Sequence, residues 1–121
     1  MAEHNELGKK GEEMAREYLV QKGYQILETN WRVGNYEVDI IATNKKFIVF
    51  AEVKTRCTNT FGEPEEFVTK QKQNFLIRAA GIFIERKNIK EEVRFDIISV
   101  LVSGTRRQIN HIEDAFYPTI K

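Results

Sequence analysis

Two neighbouring runs, Tyr36 to Thr43 and Phe47 to Lys54, are apolar on both alternating faces, yet each carries a charge pair near one end. The pairs are Glu37-Val38-Asp39 and Glu52-Val53-Lys54. Side chains alternate across a strand, so residues i and i+2 share a face. Val38, Ile40, Ala42, Phe47, Val49, Ala51 and Val53 make one expected face. Ile41, Ile48 and Phe50 continue the other, which also carries Glu37, Asp39, Glu52 and Lys54. Strands apolar on both faces belong in the middle of a sheet covered on both sides. Carboxylates resist burial there, and a single lysine offsets only one of them. The bland reading is a buried ion pair between Lys54 and a carboxylate. Because it leaves the remaining acids unexplained, a site is the better reading.

Asn44-Lys45 is the expected turn between the runs. A two-residue loop would pair Thr43 with Lys46 and Glu37 with Glu52, whereas a loop two residues longer would set Asp39 opposite Glu52. Either register keeps the charges on one face and at one end of the hairpin.

Around this hairpin the chain orders itself simply. Asn5 to Lys22 reads as a helix, with Leu7, Met14, Ala15, Tyr18 and Leu19 as its apolar stripe and Gly23 as its stop. Gly8, Gly11 and Ala15 leave a small surface that can approach a sheet closely. Glu12 lies near the same inward face. Tyr24 to Glu28 is a first strand, and Asn30 to Asn35 a connection. Arg56 to Pro64 is a loop. A second helix runs from an N-cap at Thr69 to about Lys87, with Phe75, Ala79, Ile82 and Phe83 on its buried side, widened by Leu76 and Ala80. Val93 to Val102 reads as another central strand, in which Asp96 is structural and pairs with Arg94 or Arg78. Gly104 to Arg107 turns into a short last strand or helical turn ending at Phe116. A helix between two strands favours a parallel crossover. The expected architecture is a three-layer α/β/α domain over residues 1–121, with a mixed four- or five-stranded central sheet.

Length and composition narrow the function. At 121 residues the chain holds one core. A net charge of +1 gives no bulk preference for a polyanion. One cysteine, Cys57, excludes an internal disulfide and suits a reducing cytoplasm. No apolar stretch approaches the length of a signal segment or membrane span. With only His4 and His111, a zinc site lacks ligands.

Asp39 and Glu52 on adjacent strands can bring two carboxylates within a few ångströms, and the hard cation that such a pair accepts is Mg²⁺ or Mn²⁺. The Val53 carbonyl could add a ligand. Lys54 has no lone pair to offer a metal, but it can orient or deprotonate an attacking water, or hold charge on a phosphate. Glu12 can reach the place as a ligand or outer hydrogen-bond partner. The chemistry implied is metal-assisted hydrolysis of a phosphodiester. Arg56, Lys70, Lys72 and Gln73 are candidate nucleic-acid contacts at the same edge. Lys70 taken alone reads better as a solvated helix face. Trp31 and Arg32 could stack on a base, though Trp31 is equally suited to plugging the sheet edge.

Asp39 followed at a hairpin's distance by Glu52-Val53-Lys54 resembles the PD-(D/E)xK nuclease superfamily, and Glu12 matches the extra acid of its Holliday junction resolvase branch. More narrowly, Gly8-x-x-Gly11-Glu12, Gly23-Tyr24, Asn30-Trp31-Arg32, Glu37-Val38-Asp39-Ile40-Ile41, Phe50 to Arg56, Phe61-Gly62, Lys72-Gln73 and Arg94-Phe95-Asp96 resemble the YraN-type family of small bacterial proteins. The resemblance covers nearly the whole chain. It implies a restriction-endonuclease-like fold, with Asp39, Glu52 and Lys54 as catalytic residues, Glu12 as a fourth, and Glu37 and Lys72 as neighbours. Val38 stands where the superfamily usually has proline, and Tyr36 where glycine often precedes the Glu37 position. The implied activity is a Mg²⁺-dependent endonuclease acting on DNA, and resolvases of this fold act as homodimers. The alternative is a catalytically silent nucleic-acid-binding or DNA-repair accessory module of the same fold.

Overall fold

A computed structural model describes residues 2–57 and 68–118, with side chains from Glu6 onward. The elements are α1 (Ala2–Gln21), β1 (Gln25–Val33), β2 (Tyr36–Thr43), β3 (Phe47–Arg56), α2 (Lys70–Lys87), β4 (Glu92–Ser103) and β5 (Arg106–Phe116). The strands form one five-stranded sheet in the order β1-β2-β3-β4-β5. Neighbours are antiparallel except β3 and β4, which run parallel and are joined through α2. The expected three layers are present, because α1 and α2 cover opposite faces. Ala15 and Leu19 pack on Ile40, Ala42, Val49, Ala51, Ile98 and Val100. Leu76, Ala79, Ala80 and Phe83 pack on Ile41, Ile48, Phe50, Phe95 and Ile97. This architecture is consistent with a restriction-endonuclease-like fold. The Phe61-Gly62 motif and most of the expected Arg56–Pro64 loop lie outside the described residues.

Local chemistry fixes the elements. Thr69 caps α2 by accepting a hydrogen bond from the Lys72 amide at 3.1 Å. Asn88 ends the helix in a left-handed conformation. Gly81 does not break the helix. The β2–β3 turn adopts the longer register, pairing Thr43 with Ile48 and Ile40 with Ala51, and the Asn44 side chain accepts from the Lys46 and Phe47 amides inside it. Gly11 is the close approach expected of α1: a Cβ there would collide with the Thr55 side chain of β3.

Several expectations are corrected. β1 runs to Val33 and takes in Asn30-Trp31-Arg32, since these residues pair with the start of β2. The last element is a full strand, with Arg106 and Arg107 inside it. Phe75 is 36% exposed, because the buried stripe of α2 runs instead through Leu76, Ala79, Ala80 and Phe83. Val38 packs on the α2 side of the sheet, not with Ile40 on the α1 side. The alternation breaks opposite Asn30, whose φ of 50° is left-handed, and the Asn30–Asp39 position is missing from the β1–β2 pairing, which resumes in the same register on either side. Trp31 plugs the α2-side core, its ring edge-on to Phe83 at 5.1 Å.

Asp96 is structural, as expected, and its surroundings are larger than one ion pair. Arg94 grips it through two hydrogen bonds of 3.0 and 2.8 Å, His111 Nε2 lies 2.6 Å away, and the Asp114 amide donates at 3.0 Å. Tyr18 of α1 contacts the other nitrogen of His111, and Tyr24 accepts from Arg94. Burial pushes Asp96 toward its neutral form, but the hydrogen bonds from His111, Arg94 and Asp114 reverse this and hold its pKa below the ordinary value. Its charged form therefore stabilises the fold above pH ~4, and that contribution is lost as pH falls through the lowered value.

Asp96→Ala would leave Arg94 charged and buried, and should cost about 3–5 kcal/mol in urea unfolding at neutral pH, with a smaller deficit in acid. Gly11→Ala should destabilise by about 1–3 kcal/mol through the clash with Thr55. The control Gly8→Ala, where a Cβ meets nothing, should gain about 0.5–1 kcal/mol.

Candidate metal and phosphate site

The site forms where the β2–β3 ladder stops. Ile40↔Ala51 is its last pair, and one step beyond it Asp39 and Glu52 stand opposite each other in the register. Here a side chain replaces the ladder: Asp39 Oδ2 accepts from the Val53 amide at 2.8 Å. Asp39 opens toward α1, lining a pocket of about 260 Å³ with Ile40, Thr29, Asn30 and Lys9, Glu12, Glu13 and Arg16 of α1. Glu52 opens the other way. Its Oε2 lies 3.8 Å from Lys72 Nζ of α2 and 3.9 Å from Lys54 Nζ. The acids thus gather at one end of the hairpin as expected, but around the open end of the sheet and not in a row on one face. The phase break at Asp39 is the cause.

Electrostatics join the two sides. Burial, then the Glu52 charge, pushes Asp39 up to about 7, with Glu12 adding to the rise and the Val53 amide and Lys72 opposing it. Burial also raises Glu52; Lys72 and Lys54 oppose the rise, while Glu37 and Glu12 add to it. Glu52 is 6% exposed, and its Oε1 is buried without a hydrogen-bond partner. Such an atom is unusual, since buried carboxylate oxygens are nearly always satisfied. No cluster of three or more His, Cys, Asp or Glu side chains in ligating arrangement occurs among the described residues. An all-oxygen pair with one unsatisfied oxygen still fits a hard cation that keeps several waters and borrows substrate oxygens.

The other expected residues divide. Glu37 is held by Arg32 at 3.5 Å. Arg56 is the last residue of β3 and half-buried. Gln73 donates from its side-chain amide to the Val68 carbonyl at 3.1 Å. Lys70 is exposed at the start of α2, as its solvated reading has it. Lys9 and Arg16 were not singled out by sequence reasoning, though a signal existed: Lys9, Glu12, Glu13 and Arg16 repeat at helical spacing and so share one face.

Residues 11–100 match the uncharacterised protein family UPF0102. The chain belongs to this family. It is 50% identical over 117 residues to a UPF0102 protein of Christiangramia forsetii, covering 97% of this chain and 98% of the relative. A UPF0102 protein of Bacteroides thetaiotaomicron is 46% identical over 120 residues, covering 99% of both. Another, from Flavobacterium psychrophilum, is 46% identical over 117 residues, covering 97% of this chain and 98% of the relative. The resemblance to the YraN-type family of bacterial proteins is thereby borne out. Glu12, Asp39, Glu52, Lys54 and Lys72 all lie within the UPF0102 match. Among the described residues, no helix is long and apolar enough to cross a membrane.

Two carboxylates raised by burial and by the acidic charges around them destabilise the fold once ionised. Stability from this pair is greatest below pH ~4 and falls as pH rises toward ~7. Asp39→Asn should therefore raise the urea midpoint in EDTA at about pH 8, by on the order of 1–2 kcal/mol after the lost charge at the Val53 amide is counted. At about pH 4 the gain should vanish.

Proposed function

We propose that this chain is a Mg²⁺- or Mn²⁺-dependent endonuclease that hydrolyses DNA phosphodiester bonds, similar to Holliday junction resolvases. The observation that carries the reading is the juxtaposition of Asp39 and Glu52 where the β2–β3 ladder ends, with the buried and unsatisfied Glu52 Oε1. Paired, desolvated anions of this kind gain most from a divalent cation. Asp39 and Glu52 would hold it, with the Val53 carbonyl as a further oxygen donor. When bound, the metal supplies Lewis acidity and a water of lowered pKa.

The chain's own residues do the remaining work. Lys54 orients the attacking water or offsets charge on the phosphate, and Lys72 does the same from α2. Glu12 accepts a hydrogen bond from water on the α1 side. Arg56 contacts the backbone of the nucleic acid. The cytoplasm suits such a substrate and the lone cysteine.

The second reading, a silent nucleic-acid-binding module, draws on one feature: both lysines already lie against Glu52 and offset its charge without a metal.

Incubation of supercoiled plasmid and a synthetic four-way junction with Mn²⁺ or Mg²⁺ decides between the two. Cleavage is expected, with Asp39→Ala and Lys54→Ala each slower by about 10²-fold or more. Mg²⁺ should also raise the melting temperature of the wild type and not that of Asp39→Ala. No cutting of either substrate, or equal cutting by the variants, would remove the nuclease reading.

A further inference from the structure

The α2 side of the site carries a feature that metal chemistry does not use. Lys72, Phe75 and Arg78 lie at i, i+3 and i+6, so they form one row along α2. Phe75 is 36% exposed although its neighbour Leu76 is 1% exposed, so the ring contributes little to the core. Tyr36, at the start of β2, leans against Phe75 with ring centroids 5.3 Å apart and planes at 45°. Arg78 is exposed and donates to the Tyr36 hydroxyl at 3.4 Å. At the other end of the row, Lys72 reaches Glu52.

A cation, a pair of rings and a second cation thus run in sequence away from the carboxylates. Duplex DNA presents phosphates and groove edges, and stacked bases offer no face to a surface ring. Unpaired nucleotides offer both a phosphate and a π-face, and single-strand-binding surfaces combine basic side chains with exposed rings for this reason. The Tyr36 hydroxyl is engaged by Arg78, which fixes the ring and reduces the entropy lost on stacking.

We infer that the Tyr36–Phe75 pair, flanked by Lys72 and Arg78, is a stacking surface for an unpaired stretch of nucleic acid, and that it leads this stretch toward Asp39 and Glu52. The preferred substrate is then DNA that offers an unpaired stretch, such as a flap or an opened branch, in contrast to a fully paired duplex. The inference deepens the nuclease reading and rests on its choice of nucleic acid as ligand.

Fluorescence anisotropy in EDTA, where no cleavage interferes, tests it with a labelled oligothymidylate, a blunt duplex of equal phosphate number and an abasic oligomer of the same length. The wild type should bind oligothymidylate roughly tenfold or more tighter than either competitor. Phe75→Leu and Tyr36→Leu, which keep apolar volume, should each weaken oligothymidylate binding by roughly fivefold or more and leave the duplex unchanged. Tyr36→Phe, which keeps the ring and loses only the bond to Arg78, should weaken oligothymidylate binding much less than Tyr36→Leu. Arg78→Ala should lower the salt dependence of binding. Equal affinity for oligothymidylate and duplex, undiminished binding by the leucine variants, or no binding of oligothymidylate would each overturn the stacking surface. If these failures occur while Mg²⁺ still stabilises the wild type and DNA is cut, only the stacking surface falls. If DNA is never cut but the stacking variants behave as expected, only the nuclease reading falls.

Discussion

The hydrogen bond from the Val53 amide to Asp39 Oδ2 holds the rest of the site in place. Where two strands separate, the freed backbone donors must find a partner or carry the cost of burial. Here the partner is the carboxylate of the departing strand. That choice ends the β2–β3 ladder at Ile40 and Ala51, turns Asp39 toward α1, and leaves Glu52 on the α2 side with one oxygen unsatisfied. The gap in the sheet and the charge in the gap thus have one origin.

Asp96 repeats the device in a different place and with a different result. The β4–β5 pairing shifts between Phe95 and Ile97, and the Asp114 amide released there is taken by Asp96 Oδ1. Around Asp96, however, the carboxylate charge is met by the Arg94 guanidinium, and both its oxygens are hydrogen-bonded. One aspartate is held below its ordinary pKa and the other above it. The contrast separates a carboxylate whose charge the fold satisfies from one whose charge it leaves partly unmet.

Much of this was legible in the chain. The two-sided apolar pattern of Tyr36–Thr43 and Phe47–Lys54 forces a covered central hairpin, and the Thr69 cap and Gly11 each have a local cause that can be read directly. Turn propensity alone does not rank the two loop lengths; the side-chain bonds of Asn44 do. The face assignment of Val38 was wrong because it assumes unbroken alternation, and nothing in Asn30-Trp31 announces a left-handed residue beyond the tolerance of asparagine for that conformation. Phe75 was misplaced for a different reason: at helical spacing it borders the apolar stripe, and only tertiary packing decides on which side of the border it falls. The gathering of Glu12, Glu37, Asp39 and Glu52 at one end was readable, while their division between two faces was not.

The irregularities of the outer strands have a consequence for how copies of this chain can meet. β1 forms one rim of the sheet, and its pairing shifts between Ile26 and Glu28 before the left-handed Asn30. β5 forms the other, with a shift opposite Phe95–Ile97 and a left-handed Asp114. Such breaks shorten the regular part of each rim, although β5 pairs without interruption from Arg106 to Ile112. An interrupted rim is harder to extend with a further strand, so the β1 border and the C-terminal part of β5 are disfavoured places for sheet growth from molecule to molecule.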